Sequence, residues 1–179
     1  MHVYFRTRDR STAFHSGAEF LCFRALLAAE LHEHLIWIYH YCLMPNHVHL
    51  LVEMPEHEGF LIDRLGRTKQ RFSRWLPRSL QWDTGFGSRV VRGERDYRGV
   101  AKYIEENPVR AGLVTTSVLW PHSSAGVYEL GLEDPLVTRD WTYAKGCAVT
   151  RESLLRFQAA GDAYGDSLRR SDAWRSVQW

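Results

Sequence analysis

At 179 residues the chain is long enough for one domain, or one domain with an appendage, and can bury roughly two-thirds of its unfolded surface without staples. Three widely spaced cysteines (Cys22, Cys42, Cys147), with no Cys-x-x-Cys pair, argue against a disulfide framework and a zinc–thiolate site and fit a reducing compartment. The net charge of +2 is unevenly spread: residues 64–110 carry 12 basic against 5 acidic residues and residues 1–63 carry 4 against 8, so the basic middle suits an anionic partner, nucleic acid first.

No apolar run approaches the length of a membrane span, and the N-terminus lacks the apolar core of a signal peptide, so a cytoplasmic protein without a membrane partner is expected. His2 to Thr7 alternates weakly and predicts a short first strand. Ser16-Gly17-Ala18-Glu19 is a capping-box pattern. It opens a helix to about His34, with Phe20, Phe23, Leu27 and Leu31 along one stripe. Leu35 to Leu43 is a continuous apolar and aromatic run that predicts a buried central strand. The turn signal Met44-Pro45-Asn46 then leads into His47-Val48-His49-Leu50-Leu51-Val52, which predicts a hairpin.

Side chains alternate along a strand, so His47 and His49 share one face while Val48, Leu50 and Val52 share the other. Two imidazoles on a rigid strand form half of a metal site, although such pairs also arise by chance. Alternation places Glu53 on the histidine face, where a carboxylate could support the ligands from behind.

Pro55 and Gly59 precede a second helix, about Phe60 to Leu76, whose buried side is Leu61, Leu65, Phe72 and Leu76. Arg64, Arg67, Lys69, Arg71, Arg74 and Arg78 make this stretch strongly basic, and it lacks acidic i,i+4 partners for those charges. Phosphate contact is therefore favoured over a merely solvated face, with Lys69, Arg71 and Arg74 as the candidates. Trp82 to Gly87 is a loop without a Walker pattern, so nothing cradles a nucleotide triphosphate. Ser88 to Arg92 predicts a fourth strand, and a helix from about Arg95 to Asn107 is ended by Pro108. Beyond Leu119 come turn clusters, a short helix near Arg151 to Ala160 and a Trp-rich tail. This order of elements predicts an α+β sandwich with a mainly antiparallel sheet.

Tyr103 and Asn107, four residues apart, lie one above the other on that last long helix. A phenol can attack a phosphodiester covalently, and an amide oxygen one turn away can ligate a hard divalent cation. Equally, a lone pair of this kind can be a Tyr packed on the sheet and an Asn capping the helix.

Taken together, Met44-Pro45-Asn46-His47-Val48-His49-Leu50-Leu51 and Tyr103-Ile104-Glu105-Glu106-Asn107-Pro108-Val109-Arg110-Ala111-Gly112-Leu113 resemble the REP-associated tyrosine transposases. These belong to the one-tyrosine, HUH-type transposase superfamily of bacteria. The resemblance runs from about His2 to Tyr128, includes Trp82-Asp83-Thr84-Gly85-Phe86, and thins beyond. It implies a ferredoxin-like HUH endonuclease domain over residues 1–130, with residues 131–179 a C-terminal extension packed on the same domain. It also implies His47 and His49 as paired ligands of one divalent ion, Mg²⁺ or Mn²⁺, Asn107 as the third ligand and Tyr103 as the nucleophile. The implied activity cuts single-stranded DNA beside short palindromic hairpins, leaves a 3′-hydroxyl and a 5′-phosphotyrosine, and rejoins strands without ATP.

A phenol is a poor nucleophile at neutral pH, so metal or basic neighbours should assist it. Arg110 and Lys102 are nearest in sequence, and both also count as candidate DNA contacts. The implied partner is single-stranded DNA with a REP-like hairpin, bound by a monomer or homodimer associated with the nucleoid. The chain departs from its relatives at Trp120-Pro121-His122-Ser123-Ser124, where the Trp commonly stands directly before the Ser-Ser pair. A histidine-triad hydrolase would need a third His where Leu51 stands, and a zinc hydrolase would need a third His or carboxylate. Tyr97 is a rival nucleophile but lacks the Asn partner. The remaining alternative is a domesticated hairpin-binding protein that does not cut, although both histidines, the amide and the tyrosine are kept.

Overall fold

Alternation along the strands gives one sheet two apolar faces, and helices cover each of them. The computed structural model describes residues 1–54 and 58–139. The elements are β1 (His2–Arg6), α1 (Gly17–Glu33), β2 (Trp37–Met44), β3 (His47–Glu53), α2 (Glu58–Trp75), β4 (Gly87–Arg89), α3 (Gly93–Glu105), α4 (Asn107–Arg110) and α5 (Ala125–Glu129). The four strands pair antiparallel in the order β2-β3-β1-β4. The sequence β1-α1-β2-β3-α2-β4 in that spatial order is the ferredoxin-like arrangement expected from the motifs. The helix expected near Arg151, Cys147 and the Trp-rich tail lie outside the described residues.

On one face Val3, Phe5, Val48, Leu50 and Val52 pack with Phe23, Leu27 and Leu31 of α1 and Leu61, Leu65 and Phe72 of α2. On the other, Cys42, Met44 and Leu51 pack with Val100, Ala101 and Ile104 of α3. A pairing shift between Ile38 and His40 aims His40, Cys42 and Met44 at α3 while Tyr41 and Leu43 join the first face. His40 then reaches Glu105 (2.7 Å) and the Tyr97 hydroxyl (3.0 Å), and Ser124 donates to the same Glu105 oxygen (2.9 Å). This buried polar network fixes α3 on the sheet.

Three expectations about elements need correction. β2 is an edge strand, not a central one. It is nonetheless buried because residues 120–138 run along its outer side. Leu43 N–H donates to the His122 carbonyl, Ser124 N–H to the Tyr41 carbonyl and Thr138 N–H to the Ile38 carbonyl. Trp120 Nε1 and the Tyr128 hydroxyl donate to the Leu43 and Tyr39 carbonyls. The altered loop at Trp120 to Ser124 is thus part of this cover.

Second, Leu35 and Ile36 are not strand but the helix stop. Leu35 adopts a left-handed φ of 57°, Ile36 N–H returns to the Leu31 carbonyl, and Leu35 N–H to His32. This is a Schellman closure without the usual glycine. Third, Pro108 does not end the helical path. α3 closes at Glu105, and Pro108 falls in the first turn of α4, where a missing N–H costs nothing.

Candidate active site

β3 carries His47 and His49 on the face that α3 covers, with their rings perpendicular and 5.1 Å apart. Each ring has its Nδ1 engaged. His47 Nδ1 donates to Asn46 Oδ1 at 2.7 Å, and Asn46 is oriented by its own Nδ2, which donates to the Arg10 carbonyl. His49 Nδ1 meets His2 Nε2 at 3.1 Å, and the two rings stack at 5.3 Å. This contact is diagonal across the β1–β3 ladder, since Tyr4 is paired with His49 and His2 with Leu51. Burial pushes His49 down to about 3, with His47 and His2 adding to it, and His2 down to about 4, with Arg89 and the N-terminal ammonium adding. His47 is lowered by burial too, against the opposing influence of the neighbouring Asn107 amide. All three are therefore neutral at pH 7, the form that offers a lone pair.

α3 and the turn into α4 bring up the other half. The Tyr103 ring stands edge-on to His49 at 5.5 Å and to His2 at 6.1 Å. It is 40% exposed. Asn107 donates Nδ2 to the Tyr103 carbonyl at 3.0 Å, leaving its amide oxygen as the atom a hard cation would take. The Arg110 guanidinium lies 5.0 Å from the centre of the Tyr103 ring and is paired with Glu106. Among the described residues no three His, Cys, Asp or Glu side chains gather into a metal-holding group. A cation here would depend on the amide as its third ligand. Two neutral imidazoles held at Nδ1, with an amide oxygen, are a donor set that fits a divalent ion.

Other candidates fall elsewhere. Lys69 is no surface phosphate contact: it is buried, donates to the Asp83 carbonyl at 2.9 Å, and lies 4.2 Å from the Phe86 ring centre. α2 packs on the sheet face opposite the histidines, so Arg71 and Arg74 do not converge on them. Nor are the charges of α2 without partners. Arg64 and Arg71 meet Glu30, Arg67 meets Asp63, and Arg78, just beyond the helix, grips Glu19. Lys102 pairs with Glu106 and lines a second groove on the far flank of α3 from Tyr103. Glu53, at the other end of β3, accepts from the Tyr39 hydroxyl at 2.6 Å and does not support the histidines. The Tyr97 hydroxyl is tied to His40, and burial together with Glu105 pushes it above the ordinary range of a phenol.

His49 and Tyr103 open into a groove of about 860 Å³, lined also by His2, Tyr4, Arg89, Arg92 and Arg95 among others. The sequence reading missed these five. Alternation places His2 and Tyr4 on one face of β1, but only the β1–β3 pairing shows which face that is.

Residues 1–107 match the family model described as transposase IS200 like. A REP-associated tyrosine transposase of Escherichia coli is 29% identical over 82 residues, covering 46% of this chain and 50% of its own. A Haemophilus influenzae protein of the same family name is 27% identical over 114 residues, covering 56% of this chain and 63% of its own. The chain therefore spans less than two thirds of the length of these relatives. The solved structure of a REP-associated tyrosine transposase bound to a REP hairpin superposes with a TM-score of 0.64 at 23% identity, covering 83% of this chain and 86% of that one, which shows a shared fold. With the family model spanning more than half of its length, the chain belongs to the IS200-like transposase family.

Proposed function

We propose that the chain cuts and rejoins single-stranded DNA beside hairpins through a covalent bond to Tyr103. The observation that carries this reading is the meeting of three elements at one point: the Tyr103 ring of α3 centred 5.5 Å from the His49 ring of β3, and Asn107 of the following turn beside His47. The structural relative described with a REP hairpin supports hairpin DNA as the partner. His47, His49 and Asn107 would hold one divalent ion, Mg²⁺ or Mn²⁺. When bound, such an ion polarises the scissile phosphate and offsets charge developing on its oxygens.

Tyr103 Oη attacks phosphorus in line with the bond to the 3′ oxygen. The Oη–P bond forms, the P–O3′ bond breaks, the phenolic proton passes to solvent, and the leaving oxygen takes one up as a 3′-hydroxyl. The 5′ end stays on Tyr103 as a phosphodiester of unchanged bond order, so attack by a second 3′-hydroxyl reverses the step without ATP. Arg110, whose guanidinium lies 5.0 Å from the centre of the phenol ring, supplies positive charge near the phenol as it loses its proton.

The test uses labelled single-stranded DNA from the flanks of the chain's own gene, run on a denaturing gel with Mn²⁺ or chelator. The expected result is a metal-dependent protein–DNA adduct that Tyr103→Phe and His47→Ala abolish while Tyr103→Phe still binds. Tight binding without adduct across several hairpins and metals would instead identify a hairpin-binding protein that does not cut.

A further inference from the structure

The groove in front of Tyr103 holds an aromatic side chain whose position is built in. Tyr4 is 44% exposed, and its ring centre lies 5.7 Å from His2 and 5.6 Å from His49. It crosses directly over Gly87, its partner on β4. A Cβ at residue 87 would come within 2.1 Å of Tyr4 Cζ and 2.5 Å of its hydroxyl oxygen. Only the bare backbone of a glycine lets the ring lie there. One face of the ring rests on β4, and the exposed remainder lines the groove.

Alongside stand Arg92 and Arg95, both exposed. Neither forms an ion pair among the described residues, unlike Arg89, which is held by Asp96 at 2.6 Å. An immobilised aromatic plane beside uncompensated guanidinium groups is the chemistry that recognises unpaired nucleotides, by stacking on the base and by pairing with the phosphates. A small anion would leave the flat face unused.

We propose that Tyr4, seated on Gly87, is the stacking platform for one base of the single strand entering the active site, with Arg92 and Arg95 on its phosphates. This rests on the strand-cutting reading above and adds the subsite that holds the strand in register with Tyr103. The position is sequence-tolerant, since every base offers a π face, and any preference for a particular target must come from elsewhere on the protein.

The experiment compares two fluorescein-labelled oligomers of equal length on the full chain, one of thymidines and one of abasic sugars with the same phosphates, by fluorescence anisotropy. The wild-type protein is expected to favour the thymidine oligomer by roughly 5- to 150-fold, the range for one stacked base. Tyr4→Ala and Gly87→Ala should erase that preference, Tyr4→Phe should keep it, and Arg92→Ala and Arg95→Ala should weaken both oligomers alike. Thermal melting of each variant separates this from loss of fold. Retention of the full preference in a folded Tyr4→Ala protein overturns the proposal. If that protein's parent still forms the covalent adduct, the strand-cutting reading stands. A wild-type protein that neither binds the oligomers nor forms an adduct overturns both.

Discussion

His2 shows what a single residue contributes here. Its Nε2 accepts the His49 Nδ1 proton in the tautomer that leaves His49 Nε2 free, so it would orient the proposed metal ligand without being one. Replacing it by alanine is expected to weaken Mn²⁺ binding by about 10- to 100-fold, read by calorimetry, with the melting temperature serving as the check on fold. The shared face of His47 and His49 was legible because strand alternation has a period of two. The role of His2 was not, because the register that sets Tyr4 against His49 joins residues 45 positions apart. Lys69 misled for a similar reason: its carbonyl partner on Asp83 and its aromatic neighbours Phe5 and Phe86 come from other elements. Charge on a helix reads as solvent-facing until the fold supplies a lid.

Among the elements, α1 is governed at both ends by contacts that sequence shows only in part. Ser16 caps the Glu19 N–H as the capping box predicts, but the Glu19 carboxylate accepts from His15 N–H and from both Nη atoms of Arg78, at 2.6 and 2.7 Å, rather than closing the box on Ser16. Arg78 also donates to the Ala13 carbonyl, tying the segment after α2 to the start of α1. Arg78→Met is expected to lower stability by about 2–3 kcal/mol in urea unfolding. Burial raises the Glu19 carboxyl, but the Arg78 and His15 hydrogen bonds outweigh it and hold the group below its ordinary 4.5. A carboxyl lowered in the folded state stabilises fully above its unfolded value. That contribution is lost as the pH falls below about 4.5, and in Arg78→Met this part of the acid dependence should flatten. At the other end, Leu35 holds the left-handed position that a glycine normally takes. Leu35→Gly should raise stability by about 0.5–1 kcal/mol, because relief of the left-handed strain exceeds the added chain entropy. With no glycine to mark the stop, the apolar run from Leu35 read as strand, and the first two residues of that expectation failed.

Over the whole molecule, the basic middle of the chain divides between two sides of the sheet. The arginines in and just after α2 are largely answered by Glu19, Glu30 and Asp63, whereas Arg89, Arg92 and Arg95 line the groove beside Tyr103. A net charge per segment cannot make this distinction, since it depends on which face each element turns inward. Arg92 and Arg95, the groove cations without an acidic ion-pair partner among the described residues, should on engaging a single strand give a log–log dependence of its binding constant on salt of slope about −1.4, and each Arg→Ala change there should reduce that slope by about 0.7. A wild-type slope near zero would place the DNA path outside the groove.

The order of strands and helices was legible from alternation and turns, and so was the pairing of β2 with β3. The standing of β2 as an edge was not, because an edge strand buried by irregular chain has the same apolar run as a central one. That cover bears on assembly. Sheets commonly join copies of a protein by pairing exposed edges, and such edges also seed aggregation. Here the outward amides and carbonyls of β2 are taken by Trp120, His122, Ser124, Tyr128 and Thr138 of the same chain. A second copy could extend the sheet at β2 only by first peeling that strap away, which would also unseat Ser124 from Glu105 and loosen the helix that carries Tyr103. Joining molecules through this edge and keeping Tyr103 in place are therefore opposed.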